Sequence, residues 1–176
     1  NEAVSTANVE EQTRPIRIVL ADDHAVVRSG LRLLLEQTEN FSVVAEAGDV
    51  DSAVAETADQ QPDVLVLDLN MPGAPGRTSL SVIPEIASRS PKTQILILTM
   101  QDDAAFARTA LGSGARGYVL KESADSELVE AVREVAAGRL FLNPRLGAQL
   151  ASGEDEIDRG PLSAREWEVL RLIALG

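Results

Sequence analysis

Several residues that could do chemistry stand at the ends of short apolar runs in this sequence. Asp22 and Asp23 follow the first run, and Asp68 closes the third. Thr99 ends the fourth run, and Lys121 follows the fifth. Clustered carboxylates repel one another unless a cation neutralises them, and their hard oxygen atoms suit Mg²⁺. An ammonium group and a hydroxyl beside them could hold a phosphoryl group on a carboxylate, and aspartate is a known nucleophile of this kind.

Asp68 is the best candidate for the reacting group because of its position. It follows the apolar residues 64–67 and precedes a loop that contains Pro72 and Gly73. An acid at the edge of a core is costly unless other groups pair with it. We therefore expect Asp68 to be the nucleophile, with a bound cation and Lys121 offsetting the cost of its burial.

The elements that must position these residues alternate along the chain. Apolar runs rich in Val, Ile and Leu predict strands at 16–21, 42–47, 64–67, 94–99 and 117–120. Between them, apolar residues at helical spacing predict helices. The alternation favours an α/β fold, a doubly wound five-stranded parallel sheet with helices on both faces, over residues 15–138.

In such a sheet, ligands bind outside the carboxyl ends of the strands, near the point where the strand order reverses. With the flavodoxin-like order 2-1-3-4-5, the second strand is at the edge, and it ends in Ala47 and Gly48 without a reactive group. The polar residues after the other strands would then meet in one crevice.

The ends of the chain have a different character. Residues 1–14 are polar and predict a disordered lead-in. Asn143 and Pro144 predict the start of a short helix that runs to about Leu150, inside a linker at 139–161. Residues 163–166 form a capping box that opens another helix, so 162–176 predict the beginning of an all-α second domain that the sequence leaves incomplete.

Composition limits the possible functions. The formal net charge is −12, which argues against a protein that covers nucleic acid with a broad surface. The sequence has no cysteine, so it has no disulfide framework and no thiolate metal site, which fits a reducing cytoplasm. The apolar runs are too short to span a membrane, and we expect no membrane partner.

These residues and motifs resemble the receiver domain of bacterial two-component response regulators. The segments that carry the resemblance are LADDHAVVRSGLRLLLE, VLDLNMPGAPG, ILILTMQDD and ARGYVLK. They are most similar to the NarL/FixJ branch, whose output domain is a LuxR-type helix-turn-helix. The segment LSAREWEVLRLIALG at 162–176 looks like the start of that domain. The resemblance covers residues 15–176.

The resemblance implies a role for each site residue. Asp68 would accept a phosphoryl group from a histidine kinase, and Mg²⁺ or Mn²⁺ would be bound by Asp23, Asp68 and the backbone carbonyl of Asn70, with Asp22 acting indirectly. Thr99 and Lys121 would contact the phosphoryl group, and Tyr118 would change its side-chain rotamer with it.

The resemblance also implies a cytoplasmic transcription regulator. It would form a homodimer on phosphorylation and bind DNA through the complete output domain, and it would be no enzyme apart from slow autodephosphorylation. Because the recognition helix is absent from the sequence, we expect no specific DNA binding by the 176-residue chain itself.

Three features depart from the usual receiver pattern. Pro75 and Arg77 replace an acid and an apolar residue in the loop after Asp68, and Pro84 falls inside the expected third helix, where it would kink or delay that helix. Glu122 stands where many receivers have a proline.

Other interpretations remain open. Any one of the acids alone could be a loop or cap residue, and His24 is more often a cap or surface residue than a catalytic one. The domain could be a constitutive binding module that needs no phosphorylation, although such modules typically lose one of the site residues. A phosphatase of the haloacid-dehalogenase type is less favoured because it carries a second acid two residues after its nucleophile, where this sequence has Asn70.

Overall fold

The computed structural model describes residues 14–100 and 103–152, which form a five-stranded parallel sheet in the order β2-β1-β3-β4-β5. The strands are β1 (Ile16–Ala21), β2 (Phe41–Ala47), β3 (Val64–Asp68), β4 (Gln94–Thr99) and β5 (Gly117–Leu120). The helices are α1 (Ala25–Glu36), α2 (Val50–Gln60), α3 (Ile83–Arg89), α4 (Ala104–Ser113), α5 (Ala124–Ala136) and α6 (Pro144–Ser152), with a 3₁₀ turn at Lys121–Ser123. The predicted fold class and strand order are confirmed.

The strands form because their apolar side chains are buried on both faces of the sheet. Successive residues of a strand point to opposite faces, so each strand contributes to two cores. One core lies between the sheet and α2, α3, α4 and α6, and the other between the sheet and α1 and α5. The first includes strand residues Val19, Leu65, Leu67, Ile95, Ile97 and Tyr118, and the second Ile18, Leu20, Val64, Val66, Leu96, Leu98 and Val119.

The strand register brings the carboxyl ends to one level. Ala21 pairs with Leu67, so the residues that follow them, Asp22 and Asp68, lie side by side at the carboxyl ends of β1 and β3. Asp68 in turn pairs with Leu98 on the next strand. The register therefore places the ends of β1, β3 and β4 at the same level, where the sequence predicted the crevice.

The third helix is short because of Pro84. It begins only at Ile83, and Pro84 occupies its first turn, where a missing N–H costs no hydrogen bond. The segment between β3 and this helix is a long loop, so the proline delays the helix, one of the two effects that the sequence predicted.

The segment after α5 packs back onto the domain. Phe141 pairs with Gly117 at the free edge of β5, and Asn143 Oδ1 accepts a hydrogen bond of 2.7 Å from Leu146 N at the start of α6. Leu142, Leu146 and Leu150 are buried in the same core as Tyr118. The core thus includes side chains that follow residue 138.

Three sequence predictions lie outside the described residues: the lead-in up to residue 13, the acidic part of the linker after residue 152, and the helix-turn-helix start at 162–176. Within the described part of the chain, every helix is too short or too polar to cross a bilayer.

Candidate functional site

The first acid of the site, Asp22, is fully buried and held at several points. Its backbone N–H donates to the carbonyl of Ala47 at 3.0 Å, which continues the pairing of β1 with β2. Its carboxylate Oδ1 accepts a hydrogen bond of 2.8 Å from the backbone N–H of His24, and Oδ2 lies 2.7 Å from Lys121 Nζ. Asp22 is therefore fixed between the end of β1 and the start of α1.

The central acid, Asp68, ends the buried strand β3 and is only 1% exposed. Its Oδ1 accepts a hydrogen bond of 3.1 Å from the backbone N–H of Asn70, and its Oδ2 accepts one of 3.0 Å from Lys121 Nζ. The side chain of Asn70 is exposed. Both oxygen atoms of Asp68 thus have a partner, one from the following loop and one from the end of β5.

Lys121 links the two buried acids with one ammonium group. Its side chain is 12% exposed, and Nζ contacts Asp22 and Asp68 at 2.7 and 3.0 Å. The 3₁₀ turn that follows β5 begins at this residue. A single positive charge therefore faces two buried carboxylates, with the partly exposed carboxylate of Asp23 nearby.

Burial is the main influence on the pKa of Asp68. Burial raises the pKa of its carboxyl, and the charge of Asp22 adds to the rise, whereas the N–H of Asn70 and the ammonium of Lys121 lower it in part. Burial alone would lower the pKa of Lys121, but its hydrogen bonds to Asp22 and Asp68 and their charges outweigh burial, so that pKa is raised. The ammonium stays charged, while the ionised form of Asp68 is disfavoured.

The acids form a group that could hold a divalent cation. One ligand atom from each of Asp22, Asp23, His24 and Asp68 lies within 4.8 Å of the others. His24 Nδ1 lies 3.0 Å from Asp23 Oδ1 and 3.5 Å from Asp22 Oδ1. Carboxylate oxygen atoms suit Mg²⁺, and the net negative charge of this group is what a divalent cation would neutralise. The donor set therefore fits the predicted metal.

The loop after Asp68 is fastened to the start of α2. The N–H of Val50 donates to the carbonyl of Pro72 at 2.8 Å, and Asp51 accepts hydrogen bonds from Ala74 N at 3.0 Å and from Arg77 Nε at 2.7 Å. A Cβ at Gly73 would lie 2.7 Å from the carbonyl oxygen of Arg77, so only glycine fits there.

Arg77, which departs from the receiver pattern, is explained by these contacts. Its second branch pairs with Glu85 of α3 at 3.0 Å. It thus connects the loop to both flanking helices, α2 through Asp51 and α3 through Glu85.

Thr99 and Tyr118 belong to β4 and β5, the two strands that follow β3 in the order of the sheet. Thr99 is the last residue of β4, one position beyond the partner of Asp68, and it is fully buried. Tyr118, in β5, pairs with Ile97 and is also fully buried. The Tyr118 side chain lies in the core that α4 and α6 cover.

Sequence reasoning missed two residues that contact the site and did not place a third beside it. The third, His24, was interpreted as a cap or surface residue, and this is confirmed: it is the N-cap of α1 and its imidazole is 62% exposed, with Nδ1 3.0 Å from Asp23 Oδ1. Arg28 Nη1 donates to the carbonyl oxygen of Asp22 at 2.5 Å, and the buried hydroxyl of Ser79 donates to the carbonyl oxygen of Asp68 at 2.6 Å. Only His24 offered a signal, its place directly after two acids; the other two contacts arise from folding.

Residues 18–133 match the family described as the response regulator receiver domain. The chain is 42% identical over 172 residues to the oxygen regulatory protein NreC of Staphylococcus epidermidis, and the match covers 92% of this chain and 78% of NreC.

Two solved structures of response regulators are similar to this chain. A LuxR-family two-component response regulator from Aurantimonas has a TM-score of 0.74 and 37% identity, covering 81% of this chain and 99% of that one. The response regulator RcsB of Salmonella typhimurium, described with respect to DNA interaction, has a TM-score of 0.73 and 32% identity over 92% of this chain and 78% of its own.

Proposed function

The chain belongs to the response regulator receiver family, and on that basis we propose that Asp68 accepts a phosphoryl group from the phosphohistidine of a sensor histidine kinase. A carboxylate oxygen of Asp68 forms the new P–O bond. The P–N bond of the phosphohistidine breaks, and the leaving imidazole nitrogen keeps the electron pair. The product is an aspartyl phosphate, so the chain is a phosphoacceptor rather than an enzyme with turnover on phosphate esters.

The observation that carries this proposal is the position of Asp68 beside Lys121. The carboxylate ends a buried strand, and an ammonium group lies 3.0 Å from its Oδ2. A phosphoryl group on Asp68 brings additional negative oxygen atoms to the place where Lys121 already donates. Lys121 then stabilises the incoming charge without a long movement.

We assign Mg²⁺, or Mn²⁺ in its place, to Asp23, Asp68 and the backbone carbonyl of Asn70, with Asp22 acting indirectly. The indirect role of Asp22 is the one that the family resemblance implies, and Asp22 is the more deeply held of the two N-terminal acids, with Lys121 and the N–H of His24 engaging its two oxygen atoms. When bound, the cation withdraws negative charge from the phosphoryl oxygen atoms. The grouping of the ligand atoms supports the assignment, since one atom from each of Asp22, Asp23, His24 and Asp68 lies within 4.8 Å of the others.

Membership of the receiver family also suggests a conformational switch that involves Thr99 and Tyr118. We infer that Thr99 contacts the phosphoryl group and that Tyr118 rearranges with it. Tyr118 shares its core with Leu146 and Leu150 of α6, the helix that leads toward the output domain we assign to 162–176. A rearrangement at Tyr118 therefore changes the packing of the segment that connects the two domains.

The partners follow from the family. We infer a histidine kinase as donor, a homodimer after phosphorylation, and DNA bound by the complete output domain, as RcsB is described with respect to DNA interaction. We assign this activity to the cytoplasm, where bacterial DNA lies.

The test is intact-mass analysis after incubation with acetyl phosphate. Wild type with Mg²⁺ is expected to gain one phosphoryl group, and the gain disappears with EDTA or in Asp68→Asn. The control is Asp59→Asn, which removes an exposed carboxylate on α2 and should leave the gain intact.

Two results would contradict the proposal. An adduct that persists in Asp68→Asn moves the reaction to another residue. No adduct in folded wild type, together with no binding of beryllofluoride with Mg²⁺, favours a binding module that works without phosphorylation; the beryllofluoride arm separates this case from a receiver that hydrolyses its phosphoryl group quickly.

A further inference from the structure

We propose that Arg28 is a positioning residue for the divalent-cation site, holding the peptide that joins Asp22 to Asp23, and that Glu46 of β2 holds Arg28 in place. The proposal rests on the function proposed above for the acid group. It gives the edge strand β2, which carries no reactive residue at its end, an indirect part in the site.

The guanidinium of Arg28 makes two directed contacts. Nη1 donates to the carbonyl oxygen of Asp22 at 2.5 Å, and Nε donates to Glu46 Oε1 at 3.2 Å. The side chain is 23% exposed, so these contacts are largely shielded from water. A planar guanidinium held at two points has little freedom to turn, and it fixes the direction of its bond to the carbonyl.

The bond to the carbonyl matters because of the rigidity of the peptide. The carbonyl oxygen of Asp22 and the N–H of Asp23 belong to one planar unit, so fixing the oxygen fixes the plane. The orientation of that plane determines where the Cα of Asp23 points its carboxylate. That carboxylate is 27% exposed and lies beside the exposed imidazole of His24, so its own contacts hold it less firmly than burial holds Asp22.

The support for Arg28 comes from β2. Glu46 stands opposite Leu20 in the register of β1 and β2, directly below the turn that carries the acids. Its second oxygen pairs with Arg32 of α1. A Cβ at Gly48 would lie 3.3 Å from Arg28 Nη1, so the absence of a side chain there leaves room for the guanidinium.

Arg32 provides a matched control. It also belongs to α1 and also pairs with Glu46, but its Nε goes to Glu36 at 3.1 Å, one turn further along the helix. Replacing Arg32 removes a positive charge and a bond to Glu46 without removing the bond to the carbonyl of Asp22.

Charge and positioning predict opposite effects at Arg28. A positive guanidinium close to the site repels a cation, so removing the charge alone would strengthen Mg²⁺ binding. Removing the bond to the carbonyl lets the peptide turn, which lowers the fraction of chains with Asp23 correctly placed and weakens binding. The direction of the change therefore identifies the dominant effect.

The experiment measures Mg²⁺ affinity of the 176-residue chain by isothermal titration calorimetry. We expect the Kd to rise about tenfold in Arg28→Gln, the lower end of the range for residues that orient metal ligands. Arg28→Lys keeps the charge but cannot reach both partners, and we expect a smaller rise. Arg32→Gln should keep the wild-type Kd.

A second readout separates positioning from general damage. In the acetyl phosphate reaction, Arg28→Gln should need more Mg²⁺ for half-maximal rate but reach the wild-type rate at saturation. Thermal unfolding in EDTA reports whether the variant is folded. If Arg28→Gln does not fold, Glu46→Gln, which weakens the support of the guanidinium, should raise the Kd in the same direction.

Each of the other results overturns the proposal. An unchanged or lower Kd in Arg28→Gln shows that the bond to Asp22 does not position the site. An equal rise in Arg32→Gln shows a general effect of the ion pairs on α1. Absence of Mg²⁺ binding to folded wild type removes the metal assignment of the proposed function as well, whereas phosphorylation of wild type together with either of the first two results leaves that function standing.

Discussion

Replacing Lys121 with methionine leaves two buried carboxylates without their shared counter-ion. Asp22 is fully buried and Asp68 nearly so, and Lys121 Nζ contacts both at 2.7 and 3.0 Å. Removing one partner of a buried ion pair costs about 3–5 kcal/mol. Because the lysine side chain is 12% exposed and water can reach part of the gap, we expect the lower end, a loss of about 3 kcal/mol in the free energy of unfolding.

The assay is urea unfolding followed by circular dichroism, in EDTA and in saturating Mg²⁺. With a denaturant slope of about 2 kcal/mol per molar urea, the midpoint in EDTA should fall by about 1.5 M. Mg²⁺ should recover part of this loss, since the cation takes over neutralisation of the same carboxylates. Lys92→Met is the control: Lys92 is exposed, and its replacement should leave the midpoint unchanged.

A double variant shows where the loss originates. Asp68→Asn added to Lys121→Met removes one of the two uncompensated charges and should restore at least about 1 kcal/mol. The reasoning is refuted if the urea midpoint of Lys121→Met falls no further than that of Lys92→Met. It is also refuted if the midpoint of the double variant falls as far as that of Lys121→Met alone. Either result would mean that Asp22 and Asp68 do not depend on the ammonium group.

Two further predictions concern Asp68 and its surroundings. Ser79→Ala removes the buried hydroxyl that donates to the carbonyl oxygen of Asp68 at 2.6 Å, and it should lower the free energy of unfolding by about 1–2 kcal/mol. The control is Ser81→Ala, in the exposed part of the same loop. Equal effects of the two substitutions in urea unfolding would contradict this prediction. Burial raises the pKa of Asp68, so its contribution to stability is present below the unfolded-state pKa and is lost as pH rises through the folded-state pKa. In EDTA, the stability of Asp68→Asn relative to wild type should therefore increase as pH rises above about 4, and a difference independent of pH would contradict this.

The sequence by itself determined the elements and the group of residues at the strand ends. Runs such as 95–98 and 118–120 are nearly continuous in large apolar residues, and the structure has strands at those positions because strands covered on both faces bury such runs. The order 2-1-3-4-5 then brings Asp22, Asp68 and Lys121 to one edge. These features are local or topological, so a pattern along the chain is sufficient to predict them.

The sequence was also sufficient to predict that Pro84 delays the start of α3. A proline cannot lie inside a helix without removing a hydrogen bond, and the helix accordingly begins at Ile83. The path of the loop before it was not predictable, because that path depends on Arg77 reaching Asp51 and Glu85 on two different helices.

Only the tertiary structure decided how the acids are held. Arg28 reaches the carbonyl of Asp22 because α1 packs beside the end of β2, where Glu46 directs the guanidinium. Ser79 reaches the carbonyl of Asp68 from the loop between β3 and α3. Such contacts join side chains to backbone groups, which every residue possesses, so residue types and spacing carry no mark of them; they exist only once the helices and loops have taken their places around the sheet.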